Sequence, residues 1–223
     1  ALKDLDLWYA YYQDTLNRDD VSLWQYSNVG RIPGISGNVD LDYAFSRDYH
    51  PTELLPPEQR ATFQGFVRPD GWVATRNYIG ILVASNCAAT VARKIANHFT
   101  PERLAAYPNV SGVVPFVTGL GCGMEMTGPF MDLLRRTIMG YATNPNLGAA
   151  IVTALGCERN NIDGMFEHAG LQESETLQKL VIQDVGGTAK AVEEGIRRVE
   201  QLLPVVNACR RQTVSAEHLV LAL

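Results

Sequence analysis

The chain has 223 residues, 46% of them hydrophobic, enough for one sizeable core with or without a small appendage. Charged residues make up 19% and the net charge is −5, which argues against a general nucleic-acid binder, whose affinity rests on clustered Lys and Arg. No run of about 18 apolar residues offers a membrane span, and the opening Ala-Leu-Lys-Asp is charged from the start, unlike a secretory leader, so a cytoplasmic protein is the expectation.

Residues 1–46 hold two of the three tryptophans (Trp8, Trp24) and five of the nine tyrosines (Tyr9, Tyr11, Tyr12, Tyr26, Tyr43) without a clean period. They read as an aromatic-rich arm or partial domain that packs its rings on something else, with turns over 29–34 and 36–38. Residues 47–62, with prolines at 51, 56 and 57, read as an extended linker, because proline biases itself and its predecessor away from helix.

From residue 63 to 223 the pattern becomes regular. Short apolar runs at 78–84, 112–117, 149–155 and 180–183 read as buried strands. Pro115 lacks a ladder donor, which places its strand at an edge or a bulge. Between the strands, helical periods carry Val91, Ala92, Ile95, Ala96 and Phe99; then Phe130, Leu133, Leu134, Ile138 and Tyr141; then Ile162, Met165, Phe166 and Ala169. A last helix carries Val192, Ile196, Val199, Leu203 and Val206, with Pro204 as a kink or end, and 219–223 reads as a fifth strand. Strands alternating with helices predict an open, mainly parallel Rossmann-like α/β sheet with helices on both faces.

In such sheets ligands bind beyond the carboxyl ends of the strands. The turns there, 85–88, 118–124, 155–160 and 183–188, are small, polar or glycine-rich. Three of them carry a cysteine at the equivalent point of successive βα units: Cys87, Cys122 and Cys157, each 35 residues from the next. On neighbouring strands the three sulfurs would converge near helix N-termini that favour thiolate, and could hold iron, an iron–sulfur cluster or another soft metal. The other reading is that small, polarizable cysteines fit tight turns. Gly119, Gly121 and Gly123 read either as an anion cradle at a helix start or as a tight loop, and Gly186, Gly187 and Thr188 likewise. Glu158 is a catalytic carboxylate or a helix-start acid. Arg76 and Asn77, before the first strand, either reach substrate across an interface or serve a salt bridge or turn. The histidines sit away from these turns, and Cys209 reads as packing.

These residues carry a resemblance. The stretch Phe-Gln-Gly-Phe-Val-Arg-Pro-Asp-Gly-Trp-Val-Ala-Thr-Arg-Asn-Tyr over 63–78 resembles the opening of the central region of altronate and galactarate dehydratases. Asn86-Cys87, Gly121-Cys-Gly-Met124, Gly156-Cys-Glu158 and Gly186-Gly-Thr188 then follow in that family's order, and the resemblance runs from about Gly37 to Leu223. It implies a hydro-lyase that removes water from a sugar acid to give a 2-keto-3-deoxy acid, with a divalent metal, Fe2+ first and an iron–sulfur cluster as a variant.

On that footing Glu158, Cys122 and Thr118 are the catalytic candidates, and Cys87, Cys122 and Cys157 the metal ligands. Arg76, Asn77, Asn86, Gly121, Gly123, Gly186, Gly187 and Thr188 are the substrate-binding candidates. Thr118 stands three residues before Gly121, where the family looks to carry a histidine. Such enzymes are also similar in continuing into a glycine-rich C-terminal region, so a truncated core, a partner subunit or a homo-oligomer is expected. A non-catalytic binding or scaffold domain, a pseudo-enzyme, and a sulfo-lyase acting on a sulfonated hydroxy acid are the alternative readings.

Overall fold

The computed structural model describes residues 7–31, 38–45 and 60–220. The chain divides into two compact units, Ala1–Arg60 and Ala61–Leu223. In the first, β1 (Trp8–Ala10) runs parallel to β2 (Leu23–Gly30), and β3 (Val39–Ala44) runs antiparallel to β2 on its other side. Alternation sends side chains two apart to one face, and pairing sets Tyr9, Trp24 and Tyr43 in one row across the sheet. Tyr26 stacks on Tyr43 at 4.7 Å, and the Trp24 indole donates to the Tyr11 carbonyl at 2.7 Å. Many of these rings therefore pack on one another within the unit. The expected turn over 29–34 meets the end of β2 at Val29 and Gly30. The remainder of that turn, most of the 36–38 turn and most of the 47–62 linker lie outside the described residues.

The second unit carries a four-stranded, all-parallel sheet in the order β7-β6-β8-β9. Its strands are β6 (Tyr78–Val83), β7 (Gly112–Phe116), β8 (Leu147–Ala154) and β9 (Leu177–Val181). The helices are α1 (Ala89–His98), α2 (Pro129–Ala142), α3 (Ile162–His168) and α4 (Thr188–Ala208). The central strand β6 is apolar on both faces. Ile79, Ile81 and Val83 pack with residues of α1 and α4, while Leu82 and the following Ala84 pack with residues of α2 and α3. The sheet is thus covered on both sides, as a parallel sheet requires. Pro115 lies on β7, an edge strand, where its missing donor is harmless.

A second sheet in this unit is antiparallel, with β4 (Thr62–Val67) between β5 (Val73–Ala74) and β10 (Arg211–Ser215). Of the expected fifth strand at 219–223, Leu219 and Val220 lie outside any strand; among the described residues the last strand is β10, whose polar, largely exposed residues carry no apolar run. Residues 221–223 lie outside the described residues.

Two further expectations shift. Helix α2 buries Met131, Leu134, Ile138, Met139 and Ala142, whereas Phe130 is 76% exposed and Leu133 and Tyr141 about half exposed. The helix is apolar on two faces, so its period alone picks out a stripe of which Leu134 and Ile138 are buried and the rest exposed. Helix α4 continues through Pro204 to Ala208, because Leu202, Leu203 and Val206 are buried on either side of the proline and hold the last turn in the core.

Candidate active site

Strand order sets the site. Because β7, β6 and β8 are consecutive neighbours, the turns bearing Cys122, Cys87 and Cys157 lie side by side at the carboxyl edge, with Cys87 in the middle. Backbone bonds stitch the turns into one rim. Asn86 N–H donates to Leu120 O at 2.9 Å, Asn160 N–H to Gly121 O at 2.9 Å, and Gln183 N–H to Leu155 O at 3.1 Å. Cys87 and Cys157 are exposed and Cys122 is half-buried. The Cys122 thiol is pushed above its ordinary pKa, first by a hydrogen bond with Cys87 and by that thiol's charge, then by burial, Cys157 and Glu158.

Gly121 lets the glycine loop rest on the neighbouring turn. Its φ is +101°, and a Cβ there would lie 2.6 Å from the Ala84 carbonyl oxygen and 2.9 Å from Ser85 Cα. Glu158 is only 5% exposed. One carboxylate oxygen accepts from Leu155 N–H at 2.8 Å and the other from Gly156 N–H at 2.6 Å, while the buried Ser85 hydroxyl lies 3.5 Å from the first. Ser85 also caps the 3-10 turn of Asn86–Ala88, accepting from Cys87 N–H. Glu158 therefore ties two cysteine turns together, which makes it a positioning residue rather than a free carboxylate.

Asn160, buried and not singled out by the sequence, joins three elements. Its amide donates to Ala84 O at 2.8 Å, its oxygen accepts from Arg135 Nε at 3.1 Å, and its N–H holds Gly121 O. A lone asparagine two residues after Glu158 gives no sequence signal. Its role appears only once three turns distant in sequence are neighbours.

Other expected site residues fall elsewhere or are already occupied. The Gly119–Gly123 loop does not start a helix, since α2 begins at Pro129, and Gly121 N–H is aimed at the Met124 sulfur at 3.3 Å. Only Cys87 immediately precedes a helix; Cys122 and Cys157 lie further from α2 and α3. Gly123 is exposed and Thr118 accepts from Leu120 N–H, so Thr118 shapes the loop. Gly186 and Gly187 donate to Gln183 O and Ile182 O, which removes their N–H groups from an anion cradle; Thr188, exposed, opens α4.

Asn77 is fully buried at the amino end of β6, with its side chain bonded to Arg68, Asn109 O and Val206 O. It is a structural hub and not a ligand contact. Exposed Arg76 lies beside it, its N–H on the Asn146 side chain. A hollow of about 560 Å³ opens at this end, lined in part by Arg68, Asn144, Leu177 and Cys209, but its one cation, half-buried Arg68, is already held by three oxygens. Among the described residues, no three His, Cys, Asp or Glu side chains converge as a shell able to hold a metal ion.

Comparison with known proteins bears on this rim directly. The sequence profile of the family described as "D-galactarate dehydratase/Altronate hydrolase, second domain" matches residues 65–207. The chain belongs to this family. Every site residue discussed above, from Arg76 to Thr188, falls inside the matched region of this dehydratase family. The chain is 32% identical over 177 residues to galactarate dehydratase (L-threo-forming) of Escherichia coli K12, covering 77% of this chain and 34% of that protein. It is 28% identical over 174 residues to altronate dehydratase of the same organism, covering 78% and 34%. Against altronate dehydratase of Bacillus subtilis 168 it is 23% identical over 206 residues, covering 92% and 39%. The chain thus spans little more than a third of the length of these relatives.

Proposed function

We propose that this chain is the core of a hydro-lyase that dehydrates an aldonic or aldaric acid of the altronate or galactarate type to a 2-keto-3-deoxy acid. The observation that carries the reading is the single rim formed by the four strand-end turns, which holds the family's motifs side by side. In the reaction a proton leaves the carbon next to the carboxylate, hydroxide leaves the next carbon, and the enol product tautomerises to the keto acid. The rate depends on placing donors where charge develops and a proton where hydroxide departs.

Exposed Asn86 and Thr188 are the donors proposed to hold the substrate carboxylate. Cys122, kept in its thiol form beside Cys87, is the proposed proton donor to the departing hydroxide. Glu158, Ser85 and Asn160 fix the turns that place these groups. The divalent metal implied by the resemblance is a separate proposal, in which Cys87, Cys122 and Cys157 would be its ligands in place of the proton-donor role of Cys122; as placed, these residues do not close a ligand shell.

Two features favour a second reading, a binding domain without turnover: both Glu158 oxygens are taken by the turn's own N–H groups, and Thr118 stands where the family looks to carry a histidine. Calorimetric titration with galactarate and altronate, paired with an assay for the 2-keto product, separates the readings. Binding with product formation is expected, and Asn86→Ala is expected to weaken binding about tenfold, the loss of roughly one charge-assisted hydrogen bond. Binding without product points to the second reading. A folded chain that binds neither acid overturns both.

A further inference from the structure

The rim holds more thiol chemistry than dehydration uses. Cys87 and Cys122 sit on turns that follow adjacent parallel strands, β6 and β7. The Asn86 N–H to Leu120 O bond of 2.9 Å pins those turns beside both cysteines. The absent Cβ of Gly121 allows the Cys122 loop to lie directly on Ala84 and Ser85. Cys87 is the first cause of the raised pKa of the Cys122 thiol. The strands that lead into the two turns are neighbours about 4.8 Å apart, and a disulfide needs the two Cα atoms within roughly 4.4–6.8 Å.

The remaining cysteines are placed differently. Cys157 follows β8, on the other side of β6 from Cys122. Cys209 ends α4, where its thiol faces the Val67 carbonyl at 3.6 Å, at the opposite end of the sheet.

We propose that Cys87 and Cys122 are a redox-modification site that closes to an intramolecular disulfide in exchange with a small-molecule disulfide of the glutathione type. Exposed Cys87 is the entry point. Its thiolate attacks the small disulfide, forming a mixed disulfide and releasing one thiolate. Cys122 then gives up its proton and attacks the Cys87 sulfur, expelling the second small thiol. The two cysteines are oxidised by two electrons, and one disulfide is reduced to two thiols. The new bond ties the glycine loop to the Cys87 turn. The site does not depend on the dehydratase reading, because the reaction needs no sugar acid.

The test uses the reduced chain, incubated with oxidised glutathione and freed of excess reagent. Intact mass, free-thiol count and non-reducing peptide mapping then read the outcome. The expected result is loss of two of the four thiols, a mass lower by two hydrogens, a Cys87–Cys122 linked peptide, and return of all four thiols with dithiothreitol. Cys157→Ser and Cys209→Ser should still form the link, while Cys122→Ser should stop at a stable glutathione adduct on Cys87. Mapping the unsubstituted chain needs no variant, so misfolding of a variant leaves the result readable. Four free thiols after oxidation, a persistent adduct on Cys87 in the unsubstituted chain, or a link through Cys157 or Cys209 would each overturn the proposal.

Discussion

The two ends of the parallel sheet use buried amides in opposite ways. At the amino end Asn77 spends its whole side chain internally, on Arg68, on Asn109 O and on Val206 O. Arg68 adds bonds to Pro145 O and Arg76 O, and burial pushes its guanidinium below the ordinary pKa, with the Cys209 thiol pulling the other way. At the carboxyl end Asn160 also ties elements together, but the rim it supports leaves Asn86, Cys87, Cys157 and Thr188 exposed. At the amino end the buried polar groups are closed on one another beside a hollow of about 560 Å³. The carboxyl end leaves polar side chains open, which is where a ligand can be met.

The sharpest way to break the comparison is to remove the closed end's hub. Asn77→Ala leaves the Asn109 and Val206 carbonyls without their donor and removes one of the three acceptors of Arg68, with a desolvation penalty for each group left unpaired. The expected loss is about 3–4 kcal/mol of stability, read by urea or thermal unfolding. Below the transition, sugar-acid affinity and the reactivity of the thiols should stay unchanged. A marked change in either would make the two ends one functional unit.

The complementary change is Gly121→Ala at the open end. The new methyl meets Ala84 O and Ser85 Cα below contact distance at a φ of +101°, so strain and overlap act together. Because loop residues on either side are exposed, part of the overlap can relax, and the expected cost is about 2–3 kcal/mol, smaller than at Asn77. Its signature should be local. The Cys122 loop lifts away from the Cys87 turn, so glutathione-driven pairing of those thiols slows by about tenfold or more, as a misplaced reacting pair loses its proximity. Unaltered pairing would show that Gly121 serves the fold alone.

The difference between the ends also decides what could be read from sequence. The apolar runs, the helical periods and the even cysteine spacing forecast the parallel sheet and a common edge for Cys87, Cys122 and Cys157, because each is a local pattern. Pro115 forecast the edge strand through a missing donor. What stayed hidden depends on distant partners. Gln212 and Thr213 form a strand only because β4, some 149 residues earlier, offers its backbone. Asn77 reads as a substrate contact or a turn residue until Val206 O arrives from α4. Glycine-rich turns suggest anion cradles, yet Gly186 and Gly187 give their N–H groups to their own turn. The face of α2 that is buried could not be chosen while Phe130 and Met131 were equally apolar.

Helix α4 runs between the two ends, from Gly187 at the open rim to Val206 at the closed hub, and provides a position that should leave both undisturbed. Midway, Glu194 accepts from Arg197 at 2.6 and 2.7 Å and from Arg198 at 2.7 Å, while Arg198 also donates to Lys179 O on β9. These guanidinium hydrogen bonds, Arg197 first and then Arg198, lower the Glu194 pKa from 4.5 to about 2. A depressed carboxylate pKa stabilises the fold above the unfolded value, and that contribution fades as pH falls from about 4.5 toward 2. Solvent screening at the surface trims the effect to about 1 kcal/mol or less. Glu194→Gln should therefore lower stability by that amount at pH 7, with the gap to the unsubstituted chain closing in acid. Cys87–Cys122 pairing and sugar-acid binding should not move. A gap that persists at pH 2 would place the Glu194 contribution in packing rather than charge, and a shift in thiol pairing would mean that strain in α4 reaches the rim.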